Sequence, residues 1–187
     1  MSIRSVYTGA APLGAETHEA VERAFPGWRV GQGYGMTETA TVVTSTGEND
    51  VLVGSSGSLV PMTRAKIVAR RDDDDRVVDG EAEVEITALE TPGELLVQSP
   101  SVALGYLHNE RATADAFVWD EDGRWIRTGD VAVVRKSPKG HLHFAIVDRI
   151  KELIKVKVRV KKSLVSFPLR FSSFSCTVWH ANKFNLI

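Results

Sequence analysis

The sequence holds a single cysteine, Cys176, so no disulfide can form within the chain and a reducing compartment is the default expectation. It has no apolar run of bilayer-spanning length, and its first residues lack the charged-then-apolar pattern of a secretory leader. Asn185, Leu186 and Ile187 do not form a Ser-Lys-Leu peroxisomal address. An intracellular protein without a membrane span is therefore expected. A net charge of only −1 over 187 residues argues against a dedicated nucleic-acid binder. The Gly54-Ser55-Ser56-Gly57-Ser58 run lacks the Lys-Ser/Thr pair of a P-loop and reads as a turn into a new subdomain. Asp72, Asp73, Asp74 and Asp75 lack EF-hand spacing and its glycine, so they read as a solvated hairpin loop. His141 and His143 share a strand face, but no third zinc ligand can be placed beside them.

Charge is unevenly spread. Residues 1–157 carry 24 acidic and 18 basic side chains, whereas residues 158–187 carry five basic ones and no acid. The last 30 residues also hold four of the seven phenylalanines and the cysteine. This is the strongest boundary signal in the chain.

The periodicities predict an α/β start. Residues 3–7 read as a strand, followed by a small-residue turn, Thr8-Gly9-Ala10-Ala11-Pro12. Residues 16–25 read as a helix closed by Pro26-Gly27, with Val21, Ala24 and Phe25 facing a sheet and His18 on the surface. Residues 28–30 read as a short strand. Strands are also expected at 65–69, 83–87, 93–97 and 125–128, with a hairpin over 131–147. Asn109 is a candidate cap for a helix over 109–117, and residues 120–123 for a turn.

The run Gln32-Gly33-Tyr34-Gly35-Met36-Thr37-Glu38 then falls at the carboxyl end of a strand, where open sheets place ligands. Gly33 and Gly35 allow tight turning and close approach, Tyr34 offers a flat face for a base, Thr37 a hydroxyl for a phosphate oxygen, and Glu38 a hard carboxylate for Mg²⁺. A Gly-rich turn in which Thr37 merely caps a following helix fits equally well. Residues 39–46, rich in β-branched side chains, could line a pocket beyond it. Asp130 follows Gly129 on a predicted turn, where a carboxylate suits ribose hydroxyls or caps its own backbone. A strand ending in Asp148-Arg149 leads into a Lys-rich amphipathic segment that could bend at Asp148 and swing cations over a polyphosphate.

Four motifs thus occur in order: Gly9-Ala10-Ala11-Pro12; Tyr34-Gly35-Met36-Thr37-Glu38; Thr128-Gly129-Asp130; and Asp148-Arg149-Ile150-Lys151-Glu152-Leu153-Ile154-Lys155. Over residues 1–157 the chain resembles the adenylate-forming superfamily, most closely its 4-coumarate–CoA ligase-like acyl-CoA synthetases. Met36 and the Lys-Glu-Leu-Ile-Lys run resemble acyl-CoA ligases and luciferases rather than peptide-synthetase adenylation domains. The resemblance implies activation of an aromatic or fatty carboxylic acid by ATP with Mg²⁺, then thioester formation with CoA. It implies no nucleic-acid partner, and a cytoplasmic or peroxisomal setting for the full-length relative.

Carried across, Gly9, Ala10, Ala11, Pro12 and Tyr34 would flank adenine, with Gln32, Gly33 and Gly35 in the same nucleotide site. Thr37 would bind the α-phosphate and Glu38 the metal. Asp130, assisted by Arg149, would take the ribose hydroxyls, Asp148 would be a hinge, Lys151 and Lys155 would reach the adenylate, and Lys157 would lie near CoA. Gln32, Gly33, Ala40, Thr41 and Val42 would border the acyl pocket. The implied fold is α/β: the distal part of the large N-terminal domain (1–56), its distorted β-barrel subdomain (57–147), and a hinge with the start of a C-terminal domain (148–157). A non-family, poorly ordered tail (158–187) would follow. Two departures stand out. Val158 replaces an expected Gly, and neither the upstream phosphate loop nor the C-terminal adenylation lysine is found. Inactivity of the isolated chain is thus expected. The alternatives are a non-catalytic AMP- or acyl-binding remnant and a nucleic-acid module on the basic strand 155–161.

Overall fold

The computed structural model describes residues 3–69 and 84–150. It opens with a crossover unit: β1 (Ser5–Thr8), helix α1 (Ala15–Ala24) and β2 (Arg29–Tyr34), the two strands parallel with Ser5 opposite Arg29 and Thr8 opposite Gln32. Strong helix formers fill α1, and Gly27, at φ 89°, turns the chain back after it. The side of α1 that meets the sheet is shifted from the expected one. His18 is buried and paired to Glu22 at 3.2 Å, Val21 is half-buried, and Ala24 and Phe25 are exposed. Phe25 lies past the last helical turn, where its ring stacks on Trp28 at 4.2 Å instead of reaching the sheet.

The strand expected at residues 28–30 runs further. Gln32 pairs with Thr8 of β1, and Gly33 and Tyr34 pair with Ser45 and Thr44 of β3 (Thr44–Ser45). Half of the Gly-rich run is therefore strand, and only residues 37–39 form a single 3₁₀ turn. With β4 (Ser58–Leu59) the order is β1-β2-β3-β4. The 54–58 run does not leave this sheet but leads into β4, and it is held by Ser56 N–H donating to Phe144 O at 2.7 Å and Phe144 N–H donating to Gly57 O at 2.8 Å.

The second sheet contains β5 (Arg64–Val68), β6 (Gly93–Gln98), β7 (Phe117–Asp120), β8 (Gly123–Lys136) and β9 (Leu142–Arg149). β8 is its spine: β6 pairs along one edge, while β7 and then β9 share the other. The strand expected at 83–87 is reduced to a bridge between Glu85 and Val68, and the aspartate run lies outside the described residues. Helix α2 (Glu110–Ala116) is capped as expected, Ala112 N–H donating to the Asn109 side chain at 3.0 Å. The continuous apolar run of β6 is buried on both faces. Leu95 and Val97 join Val43, Phe117, Ile126 and Phe144 in the main core, and Leu96 meets Val68 and Trp125 on the opposite face. Val43 belongs to the loop entering β3, so the core joins both sheets. Among the described residues no helix is long and apolar enough to cross a membrane.

One expectation about β8 changes. Asp130 is not on a turn; it lies inside β8, where Gly129 at φ 71° and a register shift between Val131 and Ala132 make a bulge. In this structure β9 continues through Asp148 by the pairs Val131–Asp148 and Asp130–Arg149.

His141 and His143 do converge on a third group. Asp50 Oδ2 lies 2.6 Å from His141 Nδ1, 3.2 Å from His143 Nε2 and 2.9 Å from the donating Ser137 hydroxyl. His143 is buried, and its Nδ1 is 3.0 Å from Ser55 Oγ. Among the described residues no cluster of three His, Cys, Asp or Glu is arranged to hold a metal, and the hydrogen bonds make this a clamp between the loop and the hairpin. Burial raises the Asp50 pKa, but the bonds from His141, Ser137 and His143 outweigh it and hold the carboxyl below its usual range. Such a group stabilises the fold above the ordinary carboxylate pKa of about 3.9 and stops doing so as the pH falls through its own lower value. Asp50→Asn should therefore unfold at lower urea than the parent at pH 7, with the gap closing toward pH 3; a gap independent of pH would contradict this. A second substitution probes the loop after β2. A Cβ on Gly35 would sit 1.6 Å from Thr41 O, so Gly35→Ala should cost about 3 kcal/mol or more in urea denaturation.

Candidate functional site

Parallel pairing puts the carboxyl ends of β1 and β2 side by side, so the segments leaving them meet at one end of the sheet. A cavity of about 370 Å³ opens there. Ala10, Ala11 and Pro12 come to it from the turn after β1, and Gln32, Gly33, Tyr34 and Gly35 from β2 and just beyond. Asp130 comes from β8, and Asp148 and Arg149 from β9. Ten predicted residues from four separate stretches of sequence share one wall. Ser56, Ile146 and Val147 complete it and were not anticipated. The strand register of β9 against β8 brings in Ile146 and Val147, a relation that no local pattern carries. Ala10 sits at φ 69°, a conformation L-residues avoid, which turns the chain sharply out of β1. Gln32 is already engaged: its Oε1 accepts from Leu13 N–H at 3.2 Å, fixing the β1 turn to β2.

The polar centre of this cavity is Asp130, 4% exposed. Tyr34 O–H donates to its Oδ2 at 2.7 Å, and Arg149 Nε donates to its Oδ1 at 3.1 Å. The Asp130 N–H donates to Thr128 Oγ1 at 3.1 Å, and Thr128 Oγ1 in turn donates to Leu95 O at 2.8 Å. Each carboxylate oxygen keeps acceptor capacity beyond these partners, as a vicinal diol requires. Burial, then the hydrogen bond and charge of Asp130, push the Tyr34 phenol well above its ordinary pKa. Tyr34 is consequently a fixed donor at neutral pH.

Gly9, Gly33, Thr37, Thr41 and Val42 line a neighbouring cavity of about 450 Å³, together with Tyr7, Met36 and Ser45. Ala40 is on neither wall. The sequence reading missed Tyr7, whose ring crosses β2 at Gly31; a Cβ there would come within 2.6 Å of that ring. Ala40 and Thr41 take φ 52° and 95°, and Thr41 is β-branched, so the loop is strained. Thr41 N–H donating to Met36 O at 3.1 Å holds it shut.

A third cavity, of about 1090 Å³, contains Glu38, Tyr106, Arg127, Asp130 and Arg149. Glu38 is half-buried, and its Oε1 accepts from Tyr106 O–H at 2.7 Å. Thr37 is exposed and shares the second cavity rather than this one. Lys151, Lys155 and Lys157 lie outside the described residues. The Tyr34–Asp130 bond has a measurable weight. Tyr34→Phe keeps the ring but leaves a buried carboxylate one donor short, and should lower stability by about 2 kcal/mol. Asp130→Asn in the same background should recover part of that loss in a double-mutant cycle by urea denaturation.

A family model described as "AMP-binding enzyme" matches residues 1–107. The chain is 45% identical over 156 residues to the acyl-CoA ligase AKT1 of Alternaria alternata, covering 83% of this chain and 25% of that protein. It is 28% identical to the ATP-bound MatB structure from Rhodopseudomonas palustris, with a TM-score of 0.62 over 79% of this chain and 26% of that one. It is also 25% identical to the anthranilate CoA ligase AuaEII in complex with anthranoyl-AMP, with a TM-score of 0.64 over 82% of this chain and 26% of that one. The chain thus spans about a quarter of the length of these proteins. On these matches, and with the motif order and parallel-strand site described above, the chain belongs to the AMP-binding enzyme family.

Proposed function

We propose that these 187 residues carry the nucleotide-holding part of an ATP-dependent acyl-CoA ligase. In this reaction a carboxylate oxygen attacks the α-phosphorus of ATP and pyrophosphate leaves; the CoA thiol then attacks the acyl carbon and AMP leaves. The observation that carries the reading is the convergence of the Ala10-Ala11-Pro12 turn, Tyr34, Asp130 and Arg149 on one cavity. In this reading the small side chains after β1 and the Tyr34 ring hold a flat base. Asp130 accepts from the two ribose hydroxyls, and Arg149 balances its charge. Thr37 offers its hydroxyl to the α-phosphate.

A carboxylate whose second oxygen is uncommitted, facing a roomy cavity, suits Mg²⁺, which is commonly held by one or two protein carboxylates plus substrate phosphates. Glu38 fits that description. The ion would neutralise charge that builds on the phosphate oxygens. Gly33, Thr41 and Val42, with Tyr7 and Met36, would receive the acyl group of an aromatic or fatty acid. Asp148 as hinge, Lys151 and Lys155 near the adenylate, and Lys157 near CoA complete the proposal. So does the division at residues 56, 147 and 157. Because this chain spans about a quarter of its relatives, the proposed behaviour of the chain alone is nucleotide binding without turnover.

Calorimetry with AMP tests the reading. The chain should bind AMP, and Asp130→Asn should weaken binding about tenfold, as expected for losing a charge-assisted bond. Unchanged affinity in Asp130→Asn, or no heat with the parent, would overturn the nucleotide assignment. ATP–pyrophosphate exchange above a Glu38→Ala control would overturn the proposed lack of turnover.

A further inference from the structure

We propose that Tyr106 is a positioning residue for Glu38, presenting one edge of its carboxylate to a divalent cation. The inference rests on the reading of Glu38 as the cation's protein ligand. Tyr106 O–H donates to Oε1 at 2.7 Å, and among the described residues Oε2 has no partner. Both residues line the same large cavity. One oxygen is thereby engaged while its neighbour stays available, and the carboxylate loses the rotation that would let it present either oxygen.

Both ends of the contact are fixed by further contacts. Glu38 O accepts from Ala103 N–H at 2.8 Å, and Thr39 O accepts from the Ser101 hydroxyl at 2.9 Å, so the 3₁₀ turn is tied to residues 101–103. Arg124 holds that segment by donating to Ala103 O and Leu104 O, each at 2.8 Å, while stacking over Phe117. Tyr106 packs against the same Phe117 ring at 5.8 Å, and its N–H donates to Thr113 Oγ1 at 2.9 Å. Gly105 leaves room for this, since a Cβ would sit 2.6 Å from Thr113 Cγ2. The phenol is thus set by α2, the carboxylate by the loop after β2, and the hydrogen bond joins two prearranged groups.

Groups that orient a metal's ligand commonly change metal affinity 10- to 100-fold when removed. The test uses the 187-residue chain with AMP and two readouts, neither of them turnover. Mn²⁺ affinity is measured by electron paramagnetic resonance for the parent, Tyr106→Phe and Glu38→Gln. Tyr106→Phe keeps the ring against Phe117 and should bind Mn²⁺ roughly tenfold more weakly. In the unsubstituted chain labelled with ¹³Cζ-tyrosine, Mg²⁺ should move the Tyr106 resonance, which Tyr106→Phe identifies among three tyrosines. It should not do so in Glu38→Gln. If Tyr106→Phe binds Mn²⁺ like the parent while Glu38→Gln does not, the positioning role is wrong and the Glu38 reading stands. If the parent and Glu38→Gln behave alike, the Glu38 reading fails and this proposal fails with it.

Discussion

A carboxylate buried between two sheets is the constraint around which this structure is arranged. Asp130 is almost fully shielded from water, and an ionised group in that position is tolerated only when its oxygens find donors. Tyr34 supplies one from the first sheet, and Arg149 supplies the other from the strand beside Asp130. Satisfying the charge therefore fixes the separation of β2 from β8 and the register of β9 against β8. The same donors sit on the walls of the cavity. Stability and the shape of the cavity wall are set by one group.

The rest of the site is held by a second kind of tie, between backbone groups. Ser56 and Gly57 exchange bonds with Phe144, and residues 101–103 reach back to the turn after β2. Val43 continues the main core of the second sheet. The strained Ala40 and Thr41 conformations persist because Gly35 yields its side-chain space to the Thr41 carbonyl. A loop that would otherwise relax is kept in one shape beside the second cavity.

Much of this was legible in the sequence. Gly9-Ala10-Ala11-Pro12 after a strand and the Gly-rich run after another strand are local patterns, and parallel pairing was enough to bring them together. Asn109 declared its cap through residue type and spacing. Misread features were those decided by distant partners. Gly129 looked like a turn because a single glycine cannot announce a bulge, which exists only through the strands on either side. His18 looked like a surface residue, yet it shares a helix face with Val21 and is covered there. Asp50 gave no sign that two histidines more than 90 residues away would claim its oxygen. Tyr106, in a loop of small residues, acquires meaning only when Glu38 is placed opposite it.

Tyr34 and Asp130 are 96 residues apart. At roughly 5–20 residues per second, the phenol is made about 5–20 s before its partner. Arg149 follows Asp130 after 19 more residues. The charged member of the contact therefore enters last but one, when the tyrosine has long been in place. Until Asp130 is made, the Tyr34 hydroxyl lacks this partner, and water can solvate it. The order of the chain keeps the Asp130 carboxylate out of every intermediate formed before it.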